Sequence, residues 1–488
     1  MQRFSIGNGP RAPLLVVSLG ALLLLWSWAP STAQVPSMDA LDAVFADLDG
    51  IHSPGCVAAA SRDGDLLFER AWGMANLELG VPLAPDSVFY AGSVSKQFTT
   101  AAIALLALRG RLDLDDDVRH HFPELGYDKR ITVRQLIHHT SGIRDYFVLM
   151  GLAGHGDRAY IDNAISLDLI GRQRDLNFPP GERHLYTNSG YMLLAELVPR
   201  VDGRTLRQFA AEEIFGPLDM TDSQFEDDYR TIIPGRAASY GYREDGSLHR
   251  YVKAFDGVGS GGMMTTARDL LRWVDNFEAS RRGEDAPVGG AELAPLMLTR
   301  GRLGSGEEID YAFAIEAGEY RGARTLGHGG ALKGFRTDLT WFPDHGVAVA
   351  VLCNVADAGP SDRARRIADM LLGDELEPPR DDGEDGEEMA DDGEGATEEP
   401  SLDLDPERVR EYAGDYFSEE LAATYRIRLR DGELRLRIGP REHGALVPVA
   451  EDELRSRLGL LRFRRDDGAV VGFELDAGRV EGLAFVRR

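Results

Sequence analysis

The chain has 488 residues and a formal net charge of −27 at pH 7. Its length implies two or more domains, with ample material for a large core. Its acidity argues against a nucleic-acid partner.

The first 33 residues stand apart. Arg3 and Arg11 precede an apolar run from Leu14 to Ala29, and Ser31-Thr32-Ala33 offers small residues at the −3 and −1 positions of a cleavage site. This is the pattern of a secretory signal peptide, and the run is short for a membrane span. No Cys follows the site and no later stretch is apolar enough to cross a bilayer, so the expectation is a periplasmic or secreted protein, unattached to membrane after cleavage. Such a compartment permits disulfides. Cys56 and Cys353 each lie in a strand-like run. The residues alone favour buried free thiols, because direct cross-strand bridges strain easily.

Residues 51–80 read as a hairpin around Arg62-Asp63-Gly64-Asp65. Beyond Pro82, Pro85 and Asp86, Ser93-Val94-Ser95-Lys96 stands where an Ala- and Leu-rich helix begins, and Gly110 closes that helix. Residues three apart share a helix face, so Ser93 Oγ and Lys96 Nζ can meet over one turn. A hydroxyl is a poor nucleophile until a base takes its proton, and burial can depress a lysine enough to act as that base. The first turn also has free N–H groups, and that of Ser93 could face an oxyanion. The chain has only four lysines and 23 serines. Chance then supplies about 0.2 Ser-x-x-Lys matches. On spacing alone, a surface lysine one turn after a helix-capping serine stays open.

Leu112 to Asp117 is an acidic turn without the Gly and Glu spacing of a calcium loop. Ile131 to Gly142 reads as a short capped helix ending at a Gly stop; its His138-His139 pair lacks a following Glu at zincin spacing, so no metal is expected. Residues 143–183, rich in Gly, Asp and Arg, read as a lid or surface excursion. Tyr186-Thr187-Asn188 then leads into a helical run from Met192 to Val198. Tyr186 is either packing or a turn donor, or a tyrosinate-like base whose pKa an adjacent ammonium lowers. Asn188 would donate a hydrogen bond to a substrate carbonyl.

Gly257 to Gly262 gives close backbone approach, and Thr266 to Asp269 has capping-box spacing before a helix from Leu270 to Phe277. The glycines of His328-Gly329-Gly330-Ala331 would let the backbone lie against a ligand and aim the Ala331 N–H at a second oxyanion position. Strands at Thr337 to Phe342 and Val347 to Cys353, then a helix from Ser361 to Leu372, complete the domain. Residues 374–405 carry 16 acidic side chains against Arg380 alone, the composition of a disordered linker. Residues 406–488 turn to alternating β patterns, such as Tyr425 to Ile438, and read as a small antiparallel β-barrel with an arginine stripe on its wet face.

Ser93-x-x-Lys96, Tyr186-x-Asn188 and His328-Gly329-Gly330 occur in the order and rough spacing of one family. Over about residues 38–373 the chain resembles the serine beta-lactamase and penicillin-binding-protein-like hydrolases, of the class C beta-lactamase, D,D-peptidase and esterase branch. The resemblance implies an α+β hydrolase domain over 34–373, with an antiparallel sheet flanked by helices and an all-helical subdomain. Ser93 would be acylated, with Lys96 and Tyr186 sharing its proton and Tyr186 activating the deacylating water. Asn188, His328 and Gly330 would meet the substrate, and the N–H groups of Ser93 and Ala331 would form the oxyanion hole. No cofactor is implied. The first and last strands of that fold are neighbours, which keeps a Cys56–Cys353 bridge open.

One departure matters. His328-Gly329-Gly330 stands where many beta-lactamases have Lys-Thr-Gly, so the fixed ammonium for a substrate carboxylate is gone, unless Lys333 replaces it. This favours esters or D-amino-acid peptides over β-lactams. The C-terminal domain resembles the lipocalin-like appendages of some family peptidases, and a homo-oligomer through it is left open. The expected activity is a serine hydrolase acting on an ester, D-amino-acid peptide or β-lactam. The alternative is a non-catalytic protein that senses cell-wall peptide or β-lactam.

Overall fold

Strand alternation around the two cysteines builds the central sheet. Cys56–Arg62 (β1) and Asp65–Trp72 (β2) form the expected hairpin. Val57 and Ala59 face one hydrophobic core, whereas Cys56, Ala58 and Ala60 face another, as a two-residue period requires. The computed structural model describes residues 36–156, 159–379 and 404–488, with Met1 and Leu402. The expected signal peptide and most of the expected acidic linker lie outside the described residues. The start of that acidic stretch is packed: Leu376 is buried and the Glu377 N–H donates to the Arg321 carbonyl.

Four later strands complete the sheet: Glu316–Tyr320 (β3), Ala323–Leu332 (β4), Phe335–Phe342 (β5) and Val347–Cys353 (β6). The order is β3-β4-β5-β6-β1-β2, antiparallel throughout. The register sets Cys56 directly opposite Cys353, and the two are bridged. This overturns the expectation of free thiols. Paired positions of neighbouring antiparallel strands project to the same face, so both sulfurs meet without backbone movement.

Helices Met38–Val44 (α1) and Pro360–Leu372 (α5) cover one face through Leu41, Val44, Ile367 and Leu371. The other face packs beneath Ser95–Leu108 (α2), Asn188–Asp202 (α3) and Ala267–Arg281 (α4). Thr132 and Gln135 form a capping box on the helix at Val133–Ile137. That helix stops short of Gly142 because His139 turns the chain with a φ of 55°. No helix among the described residues is long and apolar enough to cross a membrane.

Two expectations meet different outcomes in the second half. Eight antiparallel strands between Gly414–Ser418 (β7) and Val480–Arg487 (β14) close into the barrel, β7 pairing with β14. Its interior is filled: Phe473 and Phe485 stack at 4.5 Å, and Tyr425 lies 4.3 Å from Phe485. Arg426, Arg428 and Arg430 point outward. Residues 143–183, by contrast, are no surface excursion. They hold helices at Tyr146–Leu152 and Asn163–Gly171, with Tyr146, Leu149 and Ile170 buried.

The barrel docks on this segment. Arg144, 1% exposed, pairs with Glu420 at 3.1 Å and donates to the carbonyls of Glu481 and Gly482. Tyr425 donates to the Leu152 carbonyl, and the Glu481 N–H donates to Asn177. Polar residues that look solvent-bound in the sequence are therefore interior, satisfied from some 300 positions away.

Two stability effects are expected. Arg144→Ala strands the Glu420 carboxylate in a dry interface and should cost about 3–5 kcal/mol, read by calorimetry as a lowered or split unfolding transition. The Cys56→Ser/Cys353→Ser double variant should lose about 2–5 kcal/mol under non-reducing conditions, and the wild-type chain should weigh two hydrogen atoms less than its reduced form.

Candidate active site

A 3₁₀ turn at Gly92–Val94 feeds directly into α2, which places Ser93 one turn ahead of Lys96. Lys96 is fully buried, and its Nζ lies 3.0 Å from Ser93 Oγ. Two pure acceptors complete its surroundings: Asn188 Oδ1 at 3.0 Å and the Ser260 carbonyl at 2.7 Å. A neutral amine has two N–H bonds and one lone pair. With both N–H bonds spent on these acceptors, the lone pair faces the Ser93 hydroxyl.

From the other side the Tyr186 hydroxyl donates to Ser93 Oγ at 3.0 Å. The three groups thus form one directed chain, Tyr186 O–H to Ser93 O–H to Lys96 nitrogen. Burial drives the Lys96 ammonium well below its ordinary range, helped by the Arg479 charge and opposed by Asp145 and Glu316. Burial also raises Tyr186, with the Ser93 bond and Arg479 pulling the other way. The expectation of a tyrosinate is therefore corrected: the phenol rests protonated, and the lysine is the group poised as free base.

Asn188 stands at the start of α3, where Thr187 caps the helix. Its N–H and Nδ2 both donate to Asp145 Oδ2, at 2.7 and 3.0 Å. A carboxylate accepts only, so this pair fixes the amide with its oxygen toward Lys96. Asn188 braces the lysine, and one of its two side-chain N–H bonds is already taken by Asp145. Buried Asp145 also caps the helix at Tyr146–Leu152 and meets Arg479 Nη1 at 3.7 Å. The loop carrying the Ser260 carbonyl is held by Tyr146 on Ser260 Oγ at 3.1 Å and by Thr99 on the Gly259 carbonyl.

The opposite wall is β4. Two-residue turns join it to β3 and β5, so Ala323, Thr325 and Gly327 bond toward β3, and alternate residues toward β5. The Ala331 N–H shares the β3-facing side, but β3 pairs no further than Gly327. It therefore points off an open edge, where the turn before Ser93 packs. A Cβ on Gly92 would sit 2.4 Å from Ala331 N, and one on Gly330 would lie 2.2 Å from the Ala91 carbonyl oxygen. Only glycine at these two positions lets the Ser93 and Ala331 backbones share one corner.

His328 is fully enclosed. Its Nε2 meets the Tyr311 hydroxyl at 3.1 Å and its Nδ1 meets the Gly329 carbonyl at 2.6 Å, which occupies both ring nitrogens. Burial, with the Lys96 charge, lowers it to about 3, so it is neutral. Beside it, at 3.8 Å, stands half-buried Glu316, raised by burial to about 7 and drawn down by Lys96. Lys333 lies outside the cleft wall, its ammonium 6.0 Å from the Tyr251 ring.

Ser93, Tyr186, Asn188, Ala331 and Glu316 line one cleft of about 1790 Å³, large enough for a peptide rather than a compact small molecule. Among the described residues no cluster of three or more acidic, His or Cys side chains could hold a metal ion. Sequence reasoning missed Asp145, Glu316 and Arg479. It also set His139 aside, whose ring lies tilted 4.2 Å from that of Tyr186 and which accepts the Thr187 N–H. None of these lies in a recognisable spacing.

Comparison with known proteins gives the chain its relatives. A family model described as Beta-lactamase matches residues 41–374. A D-aminopeptidase of Brucella anthropi is 29% identical over 323 residues, covering 66% of this chain and 59% of that relative. The chain thus spans about six-tenths of that protein's length. The octameric penicillin-binding protein homologue from Pyrococcus abyssi superposes with a TM-score of 0.57 at 22% identity, covering 89% of this chain and 96% of its own. A penicillin-binding protein from Bacillus halodurans superposes with a TM-score of 0.57 at 25% identity, covering 67% of this chain and 98% of its own.

Proposed function

Because the chain belongs to the beta-lactamase family, we propose that it is a serine hydrolase of D-aminopeptidase type, cleaving amides next to a D-amino acid with a free amine. The observation that carries this reading is the hydrogen-bonded chain from Tyr186 through Ser93 to Lys96. Ser93 Oγ attacks the amide carbonyl while Lys96 takes its proton. The oxyanion gathers at the N–H groups of Ser93 and Ala331. As the C–N bond breaks, Tyr186 protonates the departing nitrogen and is reprotonated from Lys96. Water, activated through Tyr186, then opens the acyl-serine ester.

The electrostatics select among substrates. Where a lysine would attract a carboxylate, this cleft has neutral His328 and the carboxyl of Glu316, with Glu307 and Glu319 also among its lining residues. An acidic wall suits an ammonium and disfavours the anionic β-lactams. The D-aminopeptidase relative supports a D-residue on the acyl side. The Cys56–Cys353 bridge and the leader-like N-terminus support an exported protein.

Ser93→Ala should abolish both covalent labelling by a fluorophosphonate and turnover of D-alaninamide; labelling that persists in the variant sinks the reading. In the wild type, kcat/KM should fall on the acid side for two separable reasons. The amine must be uncharged, so activity is present above the depressed pKa of Lys96 and lost as pH falls through it. Substrate ammonium binding also weakens as Glu316 protonates at about 7. Glu316→Gln should raise KM for D-alaninamide and erase the limb near 7, leaving the Lys96 limb in place.

A further inference from the structure

A charge from the far end of the chain reaches this cleft. The last two barrel strands are joined by a two-residue turn, Gly478-Arg479, with Gly478 at a φ of 52°. The turn is clamped on the hydrolase domain: the Arg479 carbonyl accepts from the Asp145 N–H at 3.2 Å and from Asn177 Nδ2 at 3.0 Å. Its guanidinium lies 5.7 Å from the centre of the Tyr186 ring, and the side chain, with 17% of its surface open, lines the same cleft as Ser93. Among the groups near it are Asp145, whose Oδ2 already accepts two N–H bonds from Asn188, and Tyr186 itself.

We propose that Arg479 is a specificity-determining residue that binds the carboxylate of the leaving half of the substrate. The proposal rests on the hydrolase reading above. Tyr186 protonates the departing nitrogen, so that nitrogen must lie at the Tyr186 hydroxyl, and whatever it carries extends across the Tyr186 ring toward the guanidinium. In an amino acid the carboxylate is two bonds from the nitrogen. A planar guanidinium held by its own backbone is pre-shaped for that group. The preferred substrates are then short peptides whose scissile bond precedes one residue with a free carboxylate, ahead of primary amides with the same acyl half. The acidic wall at Glu316 and the cation at Arg479 divide the cleft into an ammonium side and a carboxylate side.

The test compares D-alanyl-glycine with D-alaninamide, which share an acyl group and differ in the leaving carboxylate. The wild type should favour the dipeptide in kcat/KM. Arg479→Gln should cut that preference at least about tenfold, chiefly through KM, and Arg479→Lys should restore part of it. Equal losses on both substrates, or an unchanged ratio, overturn the proposal and leave Arg479 as a counter-charge to Asp145. Calorimetric binding of both compounds to the Ser93→Ala protein, with and without Arg479→Gln, gives a readout free of turnover. Tighter dipeptide binding that disappears with Arg479→Gln upholds the proposal even where the wild type proves to hydrolyse neither compound, a result that removes only the hydrolase reading. Equal binding of both compounds overturns it.

Discussion

An amine denied both water and a direct carboxylate partner is the constraint on which this structure turns. Lys96 is enclosed by α2, the start of α3 and the Ser260 loop, and its contacts are an amide oxygen, a peptide carbonyl and a hydroxyl. The first two accept its N–H bonds, the hydroxyl faces its lone pair, and none carries charge. Desolvation therefore prevails over the distant attraction of Asp145 and Glu316, and the nitrogen is left as a base. A carboxylate in the position of Asn188 would restore the ammonium and silence the serine.

Keeping a neutral amide in that position needs its own scaffold, which Asp145 supplies. One carboxylate oxygen holds the backbone and side chain of Asn188, and the other caps the helix at Tyr146–Leu152. The negative charge this buries is answered by Arg479 from the barrel. The path from the nucleophile to the C-terminal domain thus runs through three side chains, each oriented by the next.

Local geometry was readable in the sequence, and long-range pairing was not. Ser93 and Lys96 meet because a helical turn brings residues three apart together, which any strong helix signal reveals. Barrel strands announced themselves through alternation, as at Tyr425, Ile427 and Leu429. Arg144 and Asp145, however, look like surface residues until partners from residues 420–482 are placed on them. The disulfide escaped the sequence for the same reason: whether Cys56 faces Cys353 depends on a register set by the whole sheet. The electrostatic sign at Tyr186 was missed because burial, a tertiary property, outweighs the neighbouring charge that the motif suggests.

The order of synthesis gives the docking of Gly478-Arg479 a temporal meaning. A chain emerging from the ribosome displays Ser93, Lys96 and Tyr186 long before the barrel residues Glu420 and Arg479 exist. Until residues 420 and 479 arrive, Arg144 has no carboxylate from Glu420 and Asp145 has no guanidinium opposite it. The nascent hydrolase half therefore carries two unanswered charges, and they are settled only when the barrel is added.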